Sequence, residues 1–187
     1  MTTKKILNQS IEALLNSQVI LYPTDTVWGL GCDATNIDAV AKIFKLKSRV
    51  ESKSLVVLVS SIEMLRTYVG AVSQKAIDVI STTKKPTTII YSNPKGLAAN
   101  AIAIDNTIAI RIPSHNYCLE IINKLGKPII STSANISGES TPKSFSEISL
   151  PILEGVDYVV NLEQDKITDK SSTILKLVGN DIEVIRA

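Results

Sequence analysis

Short apolar runs of β-prone residues recur along this chain with helix-patterned stretches between them, and that alternation restricts the fold to the α/β class. The runs are VILY (19–22), LVVLV (55–59), TTIIY (87–91), TIAIRI (107–112) and PIIS (128–131). Helices are expected over about 8–17, 36–46, 61–69, 73–82 and 115–125. In the second of these, Ile37, Val40, Ile43 and Phe44 keep a helical apolar spacing behind an N-terminus marked by Thr35 and Asp38. Ser60 and Glu63 form a capping-box pattern for the third, and Ile77, Val79 and Ile80 give the fourth an apolar side. A short helix near 144–149 and strands at about 157–161, 172–178 and 181–185 complete the chain. Gly179-Asn180 between the last two reads as a two-residue hairpin turn, so part of the sheet is antiparallel. With no repeat, low-complexity tract or linker-like stretch, the expectation is one domain, 1–187: an open, twisted, mixed parallel and antiparallel sheet flanked by helices around a basic cavity.

Two loops carry the polar chemistry. IISTSANISG (129–138) runs from an apolar lead into Ser131, Thr132, Ser133, Asn135 and Ser137, short side chains that reach phosphate, carboxylate or ribose oxygens, and ends at Gly138. PTDTVWGLG (23–31) follows VILY with Thr24, Asp25 and Thr26. Two polar loops just past strands suggest two walls of one site beyond the strands' carboxyl ends; Ser, Asn and Gly also populate plain turns. Neither a GxGxxG fingerprint nor a GxxxxGK[ST] loop is present.

A third element is basic. Lys42, Lys45, Lys47, Arg49 and Lys53 stand against one acid, Glu51. Lys42 and Lys45 fit a solvated helix face, whereas Lys47, Arg49 and Lys53 fall at the junction between a helix and LVVLV, where they can be aimed at an anion. Charge is also uneven on the larger scale: residues 1–95 hold 12 basic and 7 acidic side chains, and residues 96–187 hold 8 and 11. A formal net charge of +2 does not demand a nucleic-acid partner, but the basic half suits an ATP-sized anion and leaves room for RNA contact.

Aromatics make up only 4% of the chain, so its core rests on Ile, Leu and Val and stacking platforms for single-stranded RNA are scarce. Cys32 and Cys118 form neither a metal-ligand spacing nor a disulfide framework. No N-terminal export signal and no apolar run of about 20 residues are visible, so a cytoplasmic protein without membrane contact is expected.

Taken in order, YPTDTVWGLG (22–31), KSRVESKSL (47–55), PTTII (86–90), IAIRIPSH (108–115), ISTSANISG (130–138) and SSTILKL (171–177) resemble the threonylcarbamoyl-AMP synthase family, the YrdC-like proteins that make the activated intermediate for threonylcarbamoyladenosine in tRNA. The resemblance covers nearly the whole chain and implies a YrdC-like fold. Departures are Val50 for the usual proline after the KxR arginine, Lys84-Lys85-Pro86 for the usual PGP, and Trp28 for the usual tyrosine. The end at Arg186-Ala187 resembles the short, single-domain form.

The resemblance implies condensation of L-threonine, bicarbonate and ATP to threonylcarbamoyl-AMP and pyrophosphate. It needs no protein nucleophile, and Mg²⁺ accompanies ATP, held by phosphates and water with no protein metal ligand. A downstream threonylcarbamoyl-transferase complex is the implied partner. Position by position, Lys47, Arg49 and Lys53 face the triphosphate, Lys47 and Arg49 as the catalytic charge partners. Thr26, Thr132 and Ser172 serve threonine and bicarbonate, while Thr88, Ser133, Ala134, Asn135, Pro142 and Arg186 serve the nucleotide; Ser137 is a secondary candidate. Arg111 either binds a carboxylate or pairs with a buried acid, and Asp25 either orients a metal or Lys47 or shapes a turn. His115 either caps the helix beginning near 116 or acts as a base, and Trp28 packs against adenine or in the core. The alternative from another class is an RNA-binding module using the same basic concavity without chemistry. A carbamoyl-phosphate-dependent maturation factor is a further alternative, disfavoured by the missing zinc-finger cysteines.

Overall fold

The computed structural model describes residues 2–49, 55–168, 170–179 and 181–187. In these, six α-helices alternate with nine strands: α1 (Thr3–Leu15), β1 (Ile20–Tyr22), β2 (Gly29–Gly31), α2 (Ile37–Leu46), β3 (Val56–Leu58), α3 (Ile62–Val69), α4 (Gln74–Thr82), β4 (Thr87–Ser92), β5 (Thr107–Arg111), α5 (Asn116–Leu125), β6 (Ile129–Ser133), α6 (Leu150–Gly155), β7 (Tyr158–Val159), β8 (Thr173–Val178) and β9 (Asp181–Arg186). The strands join in one sheet of order β7-β1-β2-β6-β3-β5-β4-β8-β9. Parallel pairs (β1–β7, β3–β5, β4–β8) are interspersed with antiparallel ones, which gives the expected mixed sheet. The β8–β9 hairpin is antiparallel, with Gly179 at φ +61° in its turn; Asn180 lies outside the described residues.

Several local expectations are corrected. Gly29–Gly31, read as loop, is strand β2, where neighbouring groups crowd the backbone at Gly31. An ideal Cβ on Gly31 would stand 2.6 Å from Tyr22 Cε1 and 2.9 Å from the Ile130 carbonyl oxygen. The cap of α3 is Ser61, whose hydroxyl accepts from Met64 N, one residue beyond the Ser60 of the capping-box reading. Asn36 caps α2 by accepting from Ala39 N. The helix expected near 144–149 is a 3₁₀ turn, Phe145–Glu147, followed by α6 with a proline in its first turn.

Strand alternation divides the sheet's side chains into two sets. Leu21, Leu30, Val57, Ile89, Ile110, Ile130 and Leu175 pack against Val40, Ile43 and Phe44 of α2, Leu65 of α3, Ala76 of α4 and Ile152 of α6. On the opposite face, Ile20, Tyr22, Leu58 and Ile129 meet Ile6, Leu7, Ile11 and Leu14 of α1 and Tyr117, Cys118, Ile121 and Ile122 of α5. Each fully buried aliphatic side chain contributes on the order of 2 kcal/mol. The α1–α5 layer covers only part of that second face. The uncovered part carries the polar strand residues, and it is where the cavity lies.

Candidate functional site

The polar residues on the open face come from consecutive positions of the alternation. In β4, Thr88 precedes core Ile89; in β5, Arg111 follows core Ile110; in β6, Ser131 and Ser133 flank Thr132 after core Ile130; and in β8, Ile174 precedes Leu175. The register pairs Ile89 with Ile110, Val56 with Ser131, Thr88 with Ile174 and Gly29 with Ser133, so these side chains lie on adjoining strands. Val56, Thr88, Arg111, Ser131, Ser133 and Ile174, together with Thr26, Trp28, Gly29, Arg49, Thr132, Ser172 and Arg186, line a cavity of about 300 Å³, the size of a small-molecule site. The site therefore lies on the sheet face, not in a crevice past the strand ends: Thr132 and Ser133, read as loop, belong to β6.

Buried Arg111 and Asp25 form an ion pair at 2.9 Å, their side chains 4% and 8% exposed. Asp25 Oδ2 also accepts from the backbone N–H of Ser114 at 3.1 Å and from its hydroxyl at 3.3 Å. Asp25 thus fixes Arg111, not Lys47, and Arg111 both pairs with a buried acid and faces the cavity. The neighbouring turn is set by Thr24, whose hydroxyl accepts from Thr26 N at 3.0 Å and donates to the Val27 carbonyl at 2.7 Å.

Lys47 occupies the C-cap position of α2 and is 2% exposed. Its ammonium donates to the carbonyls of Ser133 and, at 2.6 Å, Asn135, while its own carbonyl accepts from Ser137 N at 2.8 Å. Lys47 thereby fastens the serine-rich segment from beneath with two of an ammonium's three donors, and it is not among the residues that line the cavity. Burial, with a smaller contribution from the Arg49 charge, pushes its pKa down to about 8. Burial also lowers the Arg49 pKa.

Of the residues singled out in the sequence, Thr26, Arg49, Thr88, Arg111, Thr132, Ser133, Ser172 and Arg186 line the cavity. Thr88 donates to the Ser172 hydroxyl at 2.9 Å, and Arg186 Nη2 donates to the Ser172 carbonyl at 2.7 Å, which ties β4, β8 and β9 together at the wall. Ala134, Asn135, Ser137 and Pro142 are not among the lining residues: Ala134 N donates to the Trp28 carbonyl, and the Asn135 amide donates to the carbonyls of Ile136 and Glu139. Lys53 lies outside the described residues. His115 occupies the N-cap position of α5 but makes no side-chain cap; its Nε2 is 3.1 Å from Glu163 Oε1. Trp28 is core, 2% exposed and 5.0 Å from Phe145 between ring centroids, with one part reaching the cavity. Thr141, Lys170 and Ser171 also line the site and were not singled out. Only the position of Ser171 beside Ser172 could have flagged one of them.

The lining joins cationic and hydroxyl groups, and among the described residues no carboxylate lines the cavity. Such a surface binds oxyanions by charge and by many short hydrogen bonds.

Comparison with known proteins places the chain. The family profile named for Sua5, YciO and YrdC, described as "Telomere recombination", matches residues 12–187. The threonylcarbamoyl-AMP synthase of Pseudoalteromonas translucida is 31% identical over 164 residues, covering 86% of this chain and 88% of that protein. That of Aliivibrio fischeri is 35% identical over 148 residues, covering 77% and 80%. The fold matches P. abyssi Sua5 complexed with L-threonine at a TM-score of 0.86 and 23% identity, over all of this chain and 54% of that one. E. coli YciO matches at 0.85 and 24%, over 100% and 90%. The chain spans about half the length of the Sua5 structure. With the sheet, the cavity and the matched sequence in agreement, this chain is a member of the Sua5/YciO/YrdC family.

Proposed function

We propose that this chain is a threonylcarbamoyl-AMP synthase, condensing L-threonine, bicarbonate and ATP to threonylcarbamoyl-AMP with release of pyrophosphate and water, for threonylcarbamoyladenosine modification of tRNA. The observation that carries the reading is the cavity: Arg49, Arg111 and Arg186 around hydroxyl-bearing strand residues, in a chain about a third identical to synthases of that name. P. abyssi Sua5, of the same fold, is known in complex with L-threonine, which supports L-threonine as a substrate of this chain.

The proposed division of labour combines the cavity's geometry with the family resemblance. Arg111, held by Asp25, offers its guanidinium edge to the threonine carboxylate, with Thr26 beside it at 3.5 Å. Thr132 and Ser172 complete the threonine and bicarbonate side. Arg49 and Arg186, with the remaining donor of Lys47 and with Lys53, hold the phosphates, while Thr88, Ser133 and the segment through Ala134, Asn135 and Pro142 shape the nucleotide side. Magnesium enters as part of the MgATP substrate. The threonine amine attacks the bicarbonate carbon, water departs, and the carbamate oxygen attacks the α-phosphorus as pyrophosphate leaves. The protein's part is to align the substrates and stabilise charge at the phosphorus, so no side-chain nucleophile is assigned. The product then passes to a threonylcarbamoyl-transferase partner.

Lys47→Ala and Arg49→Ala should each lower threonine-dependent pyrophosphate release by at least ~10²-fold, as loss of a transition-state charge partner does. Near-normal rates in both variants would contradict the assignment of roles. Strongly salt-dependent RNA binding that ignores threonine, with no pyrophosphate formed, would favour the non-catalytic reading.

A further inference from the structure

The connection between β7 and β8 has an unusual task. In the sheet order six strands stand between these two, so residues 160–172 must cross about 34 Å at the spacing of paired strands. The crossing runs over the open face. Glu163 meets His115 at 3.1 Å, Thr168 N donates to the Lys143 carbonyl at 2.8 Å, and the Thr168 hydroxyl donates to the Thr26 carbonyl. Beyond these anchors the chain delivers Lys170, Ser171 and Ser172 to the cavity.

We propose that Lys170 is a phosphate-binding residue of this site, taking the terminal phosphates of the bound nucleoside triphosphate and the pyrophosphate that leaves. The inference rests on the nucleotide reading of the cavity. Lys170 is pinned from both sides: two residues before it Thr168 is tied to Thr26 and Lys143, and two residues after it Ser172 is tied to Thr88 and Arg186. Its ammonium has no hydrogen-bond or ion-pair partner among the described residues, although it lines a cavity edged by Arg49, Arg111 and Arg186. Lys170 and Arg186 bring further positive charge to the space beside the Asp25-paired Arg111, a gathering that an anion of several charges relieves. Lys170 is exposed, so it stands at the mouth, where the end of a triphosphate emerges and a leaving pyrophosphate departs.

The test is titration calorimetry on the full chain with three probes: α,β-methylene-ATP, which cannot release pyrophosphate, pyrophosphate itself, and AMP. Lys170→Ala should weaken the first two about tenfold and leave AMP within about twofold, and Lys170→Arg should restore most of the loss. Unchanged affinity for α,β-methylene-ATP in Lys170→Ala, with wild-type binding intact, overturns the proposal and leaves the nucleotide reading standing. An equal loss for AMP also overturns it, since the residue would then act on the nucleoside part. No binding of α,β-methylene-ATP by the wild type would remove the nucleotide reading and this proposal together.

Discussion

Lys47 shows how a single residue serves packing and chemistry at once. Its pKa of about 8 lies below the usual lysine value because its charge is buried. Between about pH 8 and the unfolded lysine value near 10.4, the unfolded chain keeps a proton that the folded chain has released. Stability therefore rises with pH through that window, and Lys47→Met should abolish that increment when unfolding midpoints of the two proteins are compared from pH 7.5 to 9.5. Anion binding runs the other way: affinity for α,β-methylene-ATP should fall as pH rises through 8 in the wild type, and a flat profile would show that the ammonium does not contribute. Arg111 makes a second residue-scale prediction. Removing it leaves buried Asp25 without its cation, so Arg111→Ala should lower stability by about 3 kcal/mol or more in denaturant unfolding.

At the scale of elements, β2 was hidden in the sequence because its two glycines read as turn residues. The reason is steric: β2 is squeezed between β1 and β6, and a side chain at Gly31 would collide with Tyr22 and the Ile130 carbonyl. Gly31→Ala should therefore destabilise the fold by about 1–3 kcal/mol. A Cβ on Gly29 meets only ordinary contacts at 3.4 Å, so Gly29→Ala should keep the wild-type unfolding midpoint while weakening ligand binding at the cavity wall it lines. Similar midpoints for both variants would undo this account of β2. The crossing segment offers the other elemental test. Thr168→Val deletes one of its anchors, and it should raise the KM for ATP several-fold with a smaller change in kcat, as expected for a part that positions Lys170 without touching the reacting atoms.

Across the whole molecule, the α/β class was legible because VILY, LVVLV, TTIIY and TIAIRI are short, β-prone and separated by helix-patterned stretches. The cavity's lining was legible where hydroxyl or cationic residues interrupt those runs, as at Thr88, Arg111, Ser131 and Ser133. What local sequence does not encode is which strands become neighbours. The sheet order brings β8 and β9, the last strands of the chain, beside β4, and only then do Ser172, Arg186 and Lys170 join a wall begun by Thr26. The Asp25–Arg111 pair was obscure for the same reason, since its partners are 86 residues apart in sequence and meet only when β5 is in place. Comparison with the family's synthases supplies the reaction that this wall is proposed to serve. The most direct test supplies purified protein with ATP, L-threonine and labelled bicarbonate and follows the label and pyrophosphate together. The account predicts a labelled adenylate formed in step with pyrophosphate and abolished when any one substrate is omitted; pyrophosphate release that persists without threonine or bicarbonate, or no adenylate at all, would contradict it.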